Sequence, residues 1–119
     1  MVAGAVAGAL AVGLGAFGAH ELQDLLAPDR LDVFQTGVRY LLVHAVVLFL
    51  TGWFAHGREN RLTKAAGFFL LAGMILFSGS LVVLAGTNLH ALGAVAPIGG
   101  LSFIAGWLCL AGMAWQHAR

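Results

Sequence analysis

The sequence predicts an all-α protein, an integral membrane bundle of four transmembrane helices. Of its 119 residues, 61% are hydrophobic and 9% are charged, and the mean hydropathy is +0.94. Soluble domains are about 25% charged, and a small domain leaves much of its surface exposed to solvent. A 12.4 kDa chain therefore cannot hide this much apolar surface from water. The composition excludes a soluble enzyme and a disulfide scaffold, and a net charge of +1 offers no basic surface for nucleic acid.

Uncharged segments place the spans, which together form one domain over residues 1–119. Residues 2–19 carry no charge, and a cleaved signal peptide is disfavoured because residues 1–4 lack a basic segment. Residues 65–118 contain no Asp, Glu, Lys or Arg, and one helix of that length would be about 80 Å long. Because the hydrocarbon core is about 30 Å thick, this segment must reverse, which we expect near Asn88, with Pro97 in the first turn of the last helix or just inside it. The predicted spans are about 2–20, 38–56, 64–86 and 93–116.

A short amphipathic helix is predicted before the second span. Apolar residues recur there at helical spacing, at Leu31, Phe34, Val38 and Leu41. We expect this helix to begin with Asp29 as N-cap, to lie in the membrane interface, and to bend at Gly37 into the second span.

Small residues dominate the first span. They fall at spacing four, at Ala3, Ala7, Ala11, Gly15 and Ala19. Small side chains let a neighbouring helix approach closely, so this face predicts packing within the chain, with a homodimer contact as the alternative.

The distribution of basic residues predicts the orientation. With four spans, one side carries Arg58, Arg61, Lys64 and Arg119, and the other carries Arg30 and Arg39. The positive-inside rule then places both termini in the cytoplasm of a multi-pass protein of the plasma (inner) membrane.

Four motifs in register carry a family resemblance. They are residues 15–20 (GAFGAH), 35–40 (QTGVRY) followed by His44, 77–81 (FSGSL), and 97–100 (PIGG) followed by Phe103 and Trp107. In this order and spacing the chain resembles the domain-of-unknown-function 423 family, small four-span membrane proteins that include the transmembrane protein 256 group. The sequence departs from that family's usual pattern at Leu41 and Ala96, where a glutamine and a threonine are frequent. The resemblance implies a membrane fold and supplies no activity.

Ionisable and polar residues at membrane depth are the candidates for function. The candidate polar cluster consists of His20, Glu21, Arg39, Tyr40, His44, Ser78 and His90. His44 lies deepest and shares a helical stripe with Tyr40. Arg39 stands at the entrance of the second span, where we expect it to pair with Glu21 or Asp24.

Three interpretations of these histidines remain open. A metal site would combine His20 with a neighbouring carboxylate, and a haem site would need His20 and His44 at matching depth. In the third interpretation His44 is structural and forms a hydrogen bond with a backbone group or the Ser78 hydroxyl. The sequence contains no nucleophile–base–acid set and no phosphate-binding glycine loop, so we expect no catalytic residue, cofactor or metal ligand.

The sequence therefore predicts a non-enzymatic membrane protein with a structural or membrane-organising role. Its expected partners are the lipid bilayer and a second copy or another membrane protein. The alternatives are a small transporter or channel that moves protons, metal ions or a small solute past His44, and an intramembrane metal- or haem-binding protein.

Overall fold

The structure, a computed structural model, describes residues 1–58 and 60–119. It contains four long helices, α1 (Val2–Leu25), α2 (Pro28–Ala55), α3 (Arg61–Thr87) and α4 (Leu92–Ala118). With 24 to 28 residues each, the helices are about 36 to 42 Å long and can cross the hydrocarbon core. The described residues contain no strand, and the predicted all-α, four-span fold is confirmed.

Each helix packs on the next one in the chain: α1 on α2, α2 on α3, and α3 on α4. Within the described residues, α1 and α4 form no comparable contact, and the molecule measures 52 × 26 × 18 Å. The core at mid-depth includes Ala45, Leu70 and Phe103. The bundle is therefore open on its sides, and the shared core lies along α2 and α3.

The distribution of side chains shows which solvent surrounds the bundle. Large apolar residues such as Phe68, Leu101 and Leu108 are each 67% exposed. Small residues such as Ala45 and Ala66 are fully buried instead. This arrangement suits a membrane protein, because lipid tolerates apolar side chains outside and helix contacts need small ones inside.

The predicted packing of the first span within the chain is confirmed. The buried residues of α1 include Gly4, Ala7, Ala11 and Gly18, whereas Ala3 and Ala19 at the two ends of the predicted stripe are exposed. A spacing of four drifts around a helix of 3.6 residues per turn, so positions 3 and 19 point about 160° apart. At Gly4, a Cβ atom would lie 2.5 Å from the Phe49 backbone nitrogen, so only glycine allows α2 this close.

The second helix differs from the prediction, because residues 28–55 form one continuous α-helix and no separate interfacial helix. α2 begins at Pro28 after N-cap Ala27, not after Asp29, and it continues unbroken through Gly37. Proline suits the first helical position because its φ is fixed and no N–H is needed there. The apolar face that was expected to contact headgroups packs on protein instead, with Phe34 and Val38 buried beside Ala85 of α3.

Gly37 serves close packing and not a bend. A Cβ atom there would lie 3.1 Å from the Leu81 Cβ and 3.2 Å from the Ser78 carbonyl oxygen. These distances are tighter than ordinary van der Waals contact, so α2 and α3 approach closely at this glycine.

The chain reverses between α3 and α4 near Asn88, as predicted. Asn88 adopts the left-handed conformation at φ 56°, and its N–H donates to the Leu84 carbonyl at 2.8 Å. Asparagine tolerates this conformation, which ends the helix. Pro97 lies inside α4 and not in its first turn. At the opposite end, the connection between α2 and α3 includes Glu59, which lies outside the described residues.

An arginine does tie the helices near this reversal, but it is Arg30 and not Arg39. The Arg30 Nη2 donates to the Ala85 carbonyl oxygen at 2.6 Å, near the end of α3 where carbonyls lack helical partners. The predicted Arg39 pair is wrong, since Arg39 is exposed and no carboxylate oxygen of Glu21 or Asp24 lies within 4.0 Å of it. The two arginines differ by nine positions, which is half a helical turn out of phase, so only Arg30 faces α3.

We expect Gly4→Ala to lower the free energy of unfolding by about 1 to 3 kcal/mol, because the added methyl group meets the α2 backbone. Gly13→Ala is the matched control on the same helix, since no atom lies within 4 Å of its added Cβ. Thermal unfolding in detergent measures both. Equal stability of the two variants would contradict the close contact between α1 and α2.

We expect Arg30→Gln to lower the free energy of unfolding by about 1 kcal/mol, because a charge-assisted hydrogen bond to the end of α3 is lost. Arg39→Gln removes the same charge from an exposed site without a carboxylate partner, and it should change stability little. The same unfolding assay compares them. A larger loss of stability in Arg39→Gln than in Arg30→Gln would contradict this assignment and support the Arg39 ion pair that the sequence predicted.

Candidate functional site around His44

Among the described residues, His44 is the ionisable residue that is buried, at 5% exposed. Its Nδ1 lies 2.8 Å from the Tyr40 carbonyl oxygen, and since a carbonyl only accepts, Nδ1 carries the hydrogen. The Nε2 atom is then an acceptor, and the Trp107 Nε1–H donates to it at 3.1 Å. Both ring nitrogens are occupied, and together these bonds define one neutral tautomer.

Aromatic rings enclose the imidazole. The Phe103 ring stacks on it with centroids 3.6 Å apart and planes 16° apart. The Tyr40 ring stacks at 5.9 Å and also meets Phe77 at 4.7 Å. We call Tyr40, His44, Phe77, Phe103 and Trp107 the aromatic cluster. Such contacts add about 0.5 to 1.5 kcal/mol per pair beyond area burial, so the cluster stabilises the bundle.

The sequence builds this cluster through spacing and glycine. Tyr40 and His44 are four residues apart on α2, as are Phe103 and Trp107 on α4, so each pair shares a helical face. A Cβ atom at Gly73 of α3 would clash with the Phe103 ring, and one at Gly99 would clash with the Phe77 backbone. These glycines let α4 lie close enough to α3 for its rings to reach α2.

A lateral groove opens beside the cluster. Its cavity volume is about 570 Å³, and Pro97, Gly100, Leu101 and Ile104 complete the lining. The residues of the cluster that line it and carry a polar group are His44, Trp107 and Tyr40. The groove can therefore accept an apolar chain or ring, while His44 has no free nitrogen to offer.

The structure brings Tyr40 to His44 and leaves the other predicted residues apart from it. Ser78 is 1% exposed, but its hydroxyl has no hydrogen-bond partner within the described residues and does not reach His44. His20 and Glu21 are exposed on a π-helical turn of α1, Gly18–Leu22. Arg39 and His90 are also exposed, and the structure does not bring these four residues together with His44.

Metal and haem chemistry find little support in this geometry. Over residues 1–58 and 60–119, no three His, Cys, Asp or Glu side chains come together as metal ligands. A haem iron would need the free nitrogen of His44, which the Trp107 indole already occupies.

Sequence reasoning missed Phe103 and Trp107 as the partners of His44. Their spacing of four on an apolar helix was the available signal, but it shows only that they share a face. The contact joins residues 63 positions apart. Whether these side chains meet His44 depends on how α2 and α4 are rotated relative to each other.

Comparison with known proteins agrees with this architecture. A family model described as a protein of unknown function, DUF423, matches residues 14–100. The UPF0382 membrane protein YwdK of Bacillus subtilis (strain 168) is 41% identical over 111 residues, covering 92% of this chain and 90% of that protein. The UPF0382 membrane protein SH2409 of Staphylococcus haemolyticus (strain JCSC1435) is 42% identical over 110 residues, covering 92% of this chain and 89% of that protein.

No solved structure matches the chain. The family match covers most of the sequence, and the relatives that align over nearly their whole length are named membrane proteins. The chain therefore belongs to the DUF423 family and is a multi-pass membrane protein.

Proposed function

We propose that this protein has a non-enzymatic, structural or membrane-organising role and acts through its lipid-facing helix surfaces. The observation that carries the proposal is the hydrogen bonding of His44, whose two ring nitrogens are both used inside the bundle. A general base or a metal ligand needs a free nitrogen lone pair. The deepest ionisable group thus contributes to packing.

Two other polar side chains within the spans support the same role. The Thr51 hydroxyl donates to the Val47 carbonyl at 2.7 Å, on the same helix. The Ser102 hydroxyl of α4 donates to the Phe69 carbonyl of α3 at 2.7 Å. The second bond joins α3 to α4, as polar contacts in membrane bundles often do. Both hydroxyls are thus bonded to carbonyl oxygens of the bundle itself.

The open sides of the bundle support lipid, a second copy or another membrane protein as partners. α1 and α4 do not close on each other, and apolar residues on both helices face outward, including Val12 at 64% and Leu108 at 67% exposed. Lipid chains can cover these faces, and so can another helix with small residues.

A proton- or solute-conducting role would require His44 to change its protonation state or its partner. A proton on Nε2 would point at the Trp107 N–H and break that hydrogen bond, with both groups left in a low-dielectric setting. This cost weighs against the transporter alternative, and the following variants separate the two roles.

We expect His44→Phe to lower the free energy of unfolding by about 1 kcal/mol, because it removes an interhelical hydrogen bond. Trp107→Phe is the matched variant, since it removes the same bond and keeps the imidazole. In a structural role, both variants should restore a deletion strain in proportion to their folded abundance. Complementation is measured together with protein abundance in the membrane.

The two roles give opposite results for this pair. If Trp107→Phe complements while an equally abundant His44→Phe protein does not, the imidazole itself is needed and the non-enzymatic proposal is wrong. Bound metal or a visible absorption band in the purified wild-type protein would contradict it as well.

We further propose that the protein lies in the plasma membrane with both termini in the cytoplasm. The support is the excess of Lys and Arg at the end of the bundle that carries Arg58, Arg61 and Arg119. We expect a reporter that works only in the cytoplasm to be active when fused after Arg119. Activity of a periplasm-only reporter at that position would reverse the orientation.

A further inference from the structure

A second cavity lies at the end of the bundle that contains both termini, which we call the basic end. Its volume is about 440 Å³, and it lies where α2 ends, α3 begins and α4 ends. The lining residues are Phe54, Arg58, Asn60, Thr63, Met113, Ala114 and His117. This set combines apolar walls with several hydrogen-bond donors at the expected depth of lipid headgroups.

Thr63 carries an unused hydroxyl in this cavity. The side chain is 4% exposed and forms no hydrogen bond within the described residues. The other three threonines donate to the carbonyl four residues earlier, at Asp32, Val47 and Val83. Within the described residues, the fully enclosed polar atoms without a partner are Arg30 Nε and Ser78 Oγ, and the Thr63 hydroxyl is not one of them. It is therefore accessible from the cavity that Thr63 lines, and it is free to donate to a ligand there.

The start of α3 adds positive potential at the same place. Thr63 lies in the first turn of α3, where free N–H groups and the helix dipole attract anions. The Asn60 Oδ1 accepts the Leu62 N–H at 2.8 Å, and its Nδ2 donates to Gln116 of α4 at 3.3 Å. Asn60 thereby fixes the start of α3 against the end of α4.

The charge and the apolar lining of the cavity indicate which kind of anion it can bind. Arg58 lines the cavity, and no Asp or Glu is among the lining residues that the structure describes. His117 donates from Nδ1 to the Met113 carbonyl at 2.9 Å, so its ring adds a donor to the cavity only when protonated. Phe54 is 62% exposed toward lipid, which connects the cavity with the acyl-chain region.

We propose that this cavity binds the phosphate of an anionic glycerophospholipid. The Thr63 hydroxyl and the Arg58 guanidinium donate to phosphate oxygens, and an acyl chain lies along Phe54 and Met113. The apolar wall favours a membrane lipid over free phosphate. This inference rests on the proposed function, in which lipid is a partner of the protein. It adds the class of lipid that binds.

Native mass spectrometry of the purified full chain in a neutral detergent tests the site. The probes are phosphatidylglycerol, phosphatidylcholine with the same acyl chains, and inorganic phosphate. We expect phosphatidylglycerol to bind about tenfold more tightly than phosphatidylcholine, and inorganic phosphate to bind far more weakly than either lipid. Arg58→Gln should weaken phosphatidylglycerol binding about tenfold. Arg119→Gln removes the same charge at the same end but outside the cavity, and it should change binding less than about twofold.

Two measurements on Thr63→Val, lipid affinity and thermal stability, test the role of the hydroxyl. The variant should weaken phosphatidylglycerol binding about threefold to tenfold, while the lipid-free protein keeps or gains thermal stability because an unpaired hydroxyl is removed. Thr63→Ser should retain binding. A less stable lipid-free Thr63→Val protein would show that the hydroxyl is already paired, and the proposal would fail.

Three further results would also overturn the lipid site. They are equal affinity for the two lipids, equal losses in Arg58→Gln and Arg119→Gln, and saturation by inorganic phosphate that blocks lipid binding. Each leaves the complementation results for His44→Phe and Trp107→Phe untouched. Failure of the site is therefore distinguishable from failure of the proposed membrane-organising role.

Discussion

Close backbone approach at glycine is the constraint on which this bundle depends. In lipid, apolar side chains gain nothing by leaving the solvent, so helices associate through packing and interhelical hydrogen bonds. Gly4 brings α1 against the α2 backbone, and Gly37 brings α2 against α3. Gly99 does the same for α4 and the backbone at Phe77. Each pair of sequential helices thus has a site where a larger residue would separate them.

The aromatic cluster is a consequence of that approach. Among the described residues, α2 and α4 have no extensive backbone contact, and the His44 imidazole links them by meeting the rings of Phe103 and Trp107. The rings reach α2 because α4 lies close on α3 at glycine. A polar residue at mid-membrane is costly unless it is paired. Here the hydrogen bond from Trp107 pairs His44 and also joins α4 to α2.

Features that depend on local composition, such as the spans and the reversal, can be predicted from this sequence. Features that depend on how a helix is rotated about its axis cannot. The uncharged stretch and Asn88 predict four spans and the reversal, because lipid and turn chemistry act locally. The choice between Arg30 and Arg39 depends on which face of α2 meets α3. On α1 and α3, the π-helical turns at Gly18–Leu22 and Met74–Gly79 interrupt the regular period, so a face extrapolated through them from the sequence changes direction.

The two ends of the bundle use their polar groups differently. At the end near the α3–α4 reversal, the Arg30 guanidinium and the left-handed Asn88 satisfy carbonyls at the end of α3. At the basic end, Asn60 satisfies one N–H of α3, while the Thr63 hydroxyl faces a cavity without a partner. Unpaired buried atoms are not confined to one end, since Arg30 Nε and Ser78 Oγ also lack a partner within the described residues. What distinguishes the Thr63 hydroxyl is its place in the lining of a cavity at the basic end, whereas both ring nitrogens of His44 are already bonded inside the bundle.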